Sequence, residues 1–147
     1  AGLNLTLTDK DMTRFVMSKS EAANLVLGSI ELADCGEVFV TKMHAIFISH
    51  LAKILLEKYG DPNIQKIEVV GIKPGEKLYE ELVSHEEMRR SYETDDFITV
   101  LPAFFNKKLK GSLGPKLTRE YNSEVVEKMG YESLSTYLNK NLYFEND

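Results

Sequence analysis

Gly71-Ile72-Lys73-Pro74-Gly75-Glu76-Lys77-Leu78-Tyr79-Glu80-Glu81-Leu82 decides how the chain is read. It follows the β-like run Ile67-Glu68-Val69-Val70, turns on two glycines and a proline, and then sets Leu78, Tyr79 and Leu82 at helical spacing. The pattern predicts a strand, a tight turn and a short helix over residues 78–83. Lys73, Glu76 and Lys77 gather at the junction. A helix start exposes backbone N–H groups and favours anions, so the composition suggests a site for a phosphate-bearing ligand. Turn chemistry alone more often means a plain turn, and both readings stand at this point.

Working outward, residues 3–8 alternate in the period of a strand. Ser18-Lys19-Ser20-Glu21 has the form of a capping box and opens a helix carrying Ala22, Leu25, Val26, Ser29 and Ala33. Residues 37–41 read as a strand. Ile48, Leu51, Ala52, Leu55 and Leu56 form an amphipathic helical stripe that Gly60-Asp61-Pro62 stops. Residues 66–70 are the next strand, and Ser84-His85-Glu86-Glu87 is a second capping box. Residues 97–101 are strand-like and end at Pro102. Lysines, glycines and a proline over 106–118 predict a basic loop, touching phosphates or simply solvated. Residues 123–129 predict a helix with Gly130 as C-cap, and residues 134–138 one further turn. The order is that of an α/β, mixed α+β, piece with a small mixed sheet and flanking helices.

The 147 residues amount to one domain. A net charge of −5 argues against nucleic acid as a general partner. No apolar run approaches the roughly 18 residues a membrane span needs, and no signal peptide is visible. Cys35 is the single cysteine, which excludes a disulfide framework and makes the reducing cytoplasm the default location. Ala1 in place of Met points to a processed or excised piece. Asn141-Leu142-Tyr143-Phe144-Glu145 only partly matches a protease-tag sequence.

Arg14 is the strongest candidate site residue. It lies among Met12, Phe15 and Met17, so its stem is expected to be partly buried, and its fork matches phosphate oxygens. A structural ion pair with an acidic neighbour is the alternative. Glu76 accepts hydrogen bonds when ionised, which suits hydroxyl groups. Lys77 reaches a phosphate or, at helical spacing, pairs with Glu80 or Glu81. Tyr79 reads as core, Glu80 and Glu81 as solvated surface, and the acidic residues from Glu86 to Asp96 as solvent-facing. His44, His50 and His85 have no metal-ligand spacing, and no metal is assigned.

Three stretches resemble one family. Residues 71–82 look like the G-x-[RK]-P-G-E-K-L-Y-E-E-L signature of nucleotide-sugar dehydratases and epimerases, in the polysaccharide-biosynthesis branch of the extended short-chain dehydrogenase/reductases. Leu5-Thr6-Leu7-Thr8-Asp9 through Met12-Thr13-Arg14-Phe15-Val16-Met17-Ser18 is similar to the same family, as is Gly36-Glu37-Val38-Phe39-Val40. The match covers residues 3 to about 102 and thins beyond. It implies a substrate-binding lobe over 1–102, with 103–147 a basic loop and helical extension of the same domain. It also implies that Arg14 contacts the diphosphate of a UDP-sugar. Lys73, where many members carry arginine, then supplies a point charge and a looser contact. The UDP-N-acetylglucosamine 4,6-dehydratases are the subtype it looks most like.

In that family NAD(P) takes a hydride while a Tyr-x-x-x-Lys pair moves a proton. This chain has no glycine-rich dinucleotide fingerprint, and Tyr137 and Lys140 are one residue too close to form the pair. The resemblance therefore implies that no cofactor is bound by this chain and that no catalytic residue lies in it. Its expected partners are a UDP-sugar, the N-terminal Rossmann portion of the complete enzyme, and a second copy in a homo-oligomer. An independent, non-catalytic module binding a sugar nucleotide or a protein is the other reading.

Overall fold

The computed structural model describes residues 2–34, 36–104 and 113–141. The strands, in order, are β1 (Leu5–Leu7), β2 (Thr13–Val16), β3 (Val38–Thr41), β4 (His44–Phe47), β5 (Ile67–Val69), β6 (Glu81–Val83), β7 (Ser91–Glu93), β8 (Phe97–Val100) and β9 (Tyr121–Asn122). The helices are α1 (Lys19–Leu32), α2 (Ile48–Tyr59), α3 (His85–Met88) and α4 (Tyr131–Asn141). This is the mixed α/β architecture expected, with its strands divided among small sheets. β1 and β5 pair in parallel, β2 with β4 and β6 with β9 antiparallel, and β8 lies between β3 and β7.

Both capping boxes form. Ser18 Oγ accepts from the Glu21 N–H while Glu21 reaches back to the Ser18 N–H, and Ser84 and Glu87 repeat the arrangement at α3. Each satisfies two donors that a helix start leaves orphaned. In α2, Ile54 is the buried position, between residues of the predicted stripe, because the helix leans on α4 through Leu134 and Leu138.

Two predicted helices are not there. Residues 78–83 bend at Leu78–Tyr79 and end in β6, because their carbonyls are taken across the fold. Leu78 O accepts from the Thr13 N–H at 2.9 Å, and Glu80 O from the Ser123 N–H at 2.8 Å. Lys77 O accepts from the Arg14 guanidinium at 2.8 Å. A helix needs those same oxygens for its own i+4 amides, and tertiary partners outweigh a weak local propensity. Residues 123–129 make only one turn, in which Asn122 Oδ1 accepts from the Glu124 and Val125 N–H groups. The chain then extends so that Met129 N–H donates to Ala45 O at 2.8 Å. Gly130 thus precedes a helix instead of ending one, and the predicted single turn over 134–138 is the middle of α4.

Of the predicted basic loop, residues 105–112 lie outside the described residues, as do Cys35 and the tag-like end beyond Asn141. Residues 115–117 run along β7: Glu93 N–H donates to Pro115 O and Leu117 N–H to Ser91 O, both at 2.9 Å.

The apolar interior has two centres. One holds Val83, Ile98, Val100, Leu117 and Tyr121, the other Ile46, Ile54, Leu134 and Leu138. β2 runs between them. Strand alternation sends Phe15 to the first and Val16 to the second. Arg14 shares the Val16 face, which carries it to the rim.

Candidate functional site

β2 is hydrogen-bonded to β4 along one edge. Its other edge faces residues 77–80, which act as a strap. Thr13 N–H donates to Leu78 O, and Phe15 N–H donates at 2.8 Å to Glu80 Oε2. A carboxylate here stands where a neighbouring strand would offer a carbonyl. Between the strap, β2 and the turn before β4 lies an open groove of about 480 Å³ lined by Arg14, Phe15, Met17, Met43, Lys77 and residues 79–82.

Arg14 is held from behind. Nη1 donates to Thr13 O at 2.7 Å and Leu78 O at 3.3 Å, and Nη2 to Lys77 O at 2.8 Å. Glu80 Oε1 is 3.9 Å from Nε, an ion pair at the loose end of contact. The carbonyls fix the plane of the guanidinium without cancelling its charge, and they leave donors unspent. Both readings of Arg14 therefore have a footing: it has an acidic neighbour, and it lines a groove.

Lys77 also lines the groove, and its ammonium makes no ion pair with a described residue. The alternative reading, a pairing with Glu80 or Glu81, relied on a helix that does not form. Tyr79, expected in the core, is 37% exposed and on the groove wall, at a bend of the strap instead of on the apolar face of a helix. Glu80, expected to be solvated surface, is engaged by the Phe15 amide and lies beside Arg14.

Lys73 and Glu76 sit in the turn before the strap, outside the groove lining. Lys73-Pro74-Gly75-Glu76 is a type II turn: proline at its second position, Gly75 at φ +84°, and Glu76 N–H to Lys73 O at 3.0 Å. Glu76 accepts from Thr8 Oγ1 at 2.9 Å and from the Lys73 N–H at 3.2 Å. The Thr8 hydroxyl, then the Lys73 amide, hold its carboxyl below the usual range, and the charges of Lys73 and Arg14 add to this. So Glu76 has turned to the backbone and to Thr8, while the Lys73 side chain is exposed.

The sequence reading did not single out Thr13, Met43, Tyr121 or Ser123. Thr13 lay within a quoted motif without a role. The other three carry no local signal, since their partners are far away along the chain. Among the described residues no cluster could hold a metal ion, and no helix is long and apolar enough to cross a membrane.

The fold has counterparts. The X-ray structure of Pen from Bacillus thuringiensis superposes with a TM-score of 0.79 at 30% identity, over 96% of this chain and 41% of that one. A Methanocaldococcus jannaschii protein described as an uncharacterized membrane protein is 40% identical over 132 residues, 85% of this chain and 40% of that protein. The UDP-glucose 4-epimerase of Rickettsia felis is 32% identical over 92% of this chain and 40% of its own length. The chain thus spans about two fifths of these relatives. Residues 1–102, which include β2, the turn and the strap, match the family described as polysaccharide biosynthesis protein. With the fold, the quoted motifs and this match in agreement, the chain belongs to the polysaccharide biosynthesis protein family, with the architecture of a C-terminal lobe of an extended short-chain dehydrogenase/reductase.

Proposed function

We propose that this chain is the nucleotide-sugar-binding part of a polysaccharide-biosynthesis dehydratase or epimerase, and that the groove receives a UDP-sugar. The observation that carries this is the state of Arg14: its guanidinium is oriented by three backbone carbonyls at the groove rim and keeps its charge. Such a group is preorganised for a diphosphate. Lys77 adds a second positive charge on the same wall, and Lys73 a third from the exposed turn. Phe15, Met17, Met43, Tyr79 and Leu82 offer apolar surface for a base or sugar ring. Glu76, acceptor-only when ionised, has capacity beyond Thr8 and Lys73 for a hydroxyl.

The described residues that follow β5 do not fit a dinucleotide. After β5 the chain enters a type II turn and a strap that leads into β6, so no helix start follows Gly71 and Gly75 to receive a pyrophosphate. NAD(P) in this reading belongs to another part of the enzyme, where it exchanges a hydride with the sugar. This lobe binds and orients. The apolar side of α1, with Val26, Leu27 and Ile30 each more than half exposed, is the surface proposed to meet that Rossmann portion. We favour UDP-N-acetylglucosamine or a relative as the sugar nucleotide.

Titration of UDP and of UDP-N-acetylglucosamine into isotopically labelled chain tests the reading. Amide shifts confined to residues 14–17, 43 and 73–82 are expected. Arg14→Ala is expected to weaken binding by roughly 1.5–3 kcal/mol, the scale of hydrogen bonds to a charged group. Shifts elsewhere, or unchanged affinity in the variant, refute it.

A further inference from the structure

We infer that the hydroxyls of Tyr121 and Ser123 are positioning groups for the groove, so that a segment outside the family-matched residues 1–102 sets the geometry in which Arg14 meets its ligand. The consequence for ligand rests on the reading above; the clamp itself does not.

Three separate pieces of chain line the groove: β2, the turn at Met43, and the strap with β6. Residues 121–123 touch all three. Ser123, fully buried, holds residue 80 from both sides: its Oγ accepts from the Glu80 N–H at 2.9 Å, and its own N–H donates to Glu80 O at 2.8 Å. The same Oγ shares a hydrogen bond of 2.9 Å with Thr13 Oγ1, on β2. One hydroxyl therefore ties strap to strand, immediately beside Arg14. With the Glu80 main chain fixed, its side chain is in register to receive the Phe15 N–H.

Tyr121 completes the arrangement. Its ring stacks on Phe15 at 5.2 Å between centroids and 16° between planes. Its hydroxyl accepts from the Met43 N–H at 2.7 Å and donates to Met43 O at 3.2 Å. Phe15 and Met43 are both groove-lining, so one side chain fixes two walls relative to each other. β9 pairing with β6 anchors the segment from which both residues project. Neither hydroxyl belongs to the groove lining, so their effect is on where other residues stand.

Two readouts test this, one without ligand. In amide exchange of the ligand-free chain, Ser123→Ala should speed exchange at Glu80 and Phe15 by about 5- to 100-fold, the range for an orphaned buried group. Tyr121→Phe, which keeps the stacked ring, should speed exchange at Met43 alone. UDP affinity should fall at least several-fold in both. Ile54→Val, a small loss of packing in the other apolar centre, should leave UDP affinity unchanged. Uniform acceleration across all amides, or none at Glu80 and Met43, overturns the clamp. If the exchange pattern holds and UDP affinity does not change, the clamp is structural only and the positioning inference fails. If the unsubstituted chain binds no UDP, the functional reading fails while the exchange pattern still decides the clamp.

Discussion

Glu80 shows how one side chain substitutes for a strand. The Phe15 N–H points away from β4 and would be orphaned without an acceptor, and the carboxylate supplies one at 2.8 Å. Its second role, toward Arg14 at 3.9 Å with both groups partly exposed, is worth little. The two roles separate by substitution. Glu80→Gln retains an oxygen for Phe15 and should change stability by less than about 1 kcal/mol. Glu80→Ala strands the N–H and should cost about 1–3 kcal/mol. Urea midpoints of the two variants check this, and equal losses would mean that charge, not the hydrogen bond, is what the residue contributes. None of this was visible in the sequence, where Glu80 and Glu81 look alike. Their fates divide because one borders β2's open edge and the other starts β6.

Among elements, the helix starts were the most legible, because a capping box is local: its donor, acceptor and spacing lie within four residues, as at Ser18 and Ser84. The strap was not, because its carbonyls are claimed by Thr13, Arg14 and Ser123 from far along the chain. Helix-to-helix contacts were equally hidden. Tyr137 of α4 donates to Glu21 of α1 at 2.5 Å. Burial, then the bond to Glu21, push the Tyr137 phenol up to about 12, while Glu21 is lowered: its Ser18 and Tyr137 hydrogen bonds outweigh the opposing effect of burial. A raised phenol favours its neutral form in the fold. Its contribution is therefore complete below the ordinary value of about 10 and is lost as pH rises through about 12. The tyrosine ring-carbon resonance followed by NMR should show this titration, and Tyr137→Phe should remove it at a cost of about 1 kcal/mol or less for so accessible a bond.

At the level of the whole molecule, burial is uneven. No residue of α1 is buried, and Val26, Leu27 and Ile30 are 56%, 63% and 69% exposed. β3, beneath it, is an edge strand of its sheet. Scattered exposed apolar residues are ordinary, whereas three on one helical face beside an open edge have the form of a contact surface. Leu27→Asp with Ile30→Asp should leave the chain's melting temperature nearly unchanged, as surface substitutions do, and should abolish its association with the Rossmann portion in pull-down with purified protein. A large drop in melting temperature would show that the face is covered from within. The general α/β character and the Arg14 and Lys77 side of the groove were readable from the motifs. The closure of the groove was not, because it depends on residues that come together only in three dimensions.

That closure has a consequence for the order in which the molecule is made. Thr13 and Ser123 are 110 positions apart, and Tyr121 reaches Met43 across 78. A chain leaving the ribosome presents β2, the Met43 turn and the strap well before the residues that lock them together. Those early segments must wait, their walls unfixed, until residues 121–123 emerge, and distant pairings of this kind form slowly. The walls of the groove therefore take their final spacing only after residues 121–123 have been made.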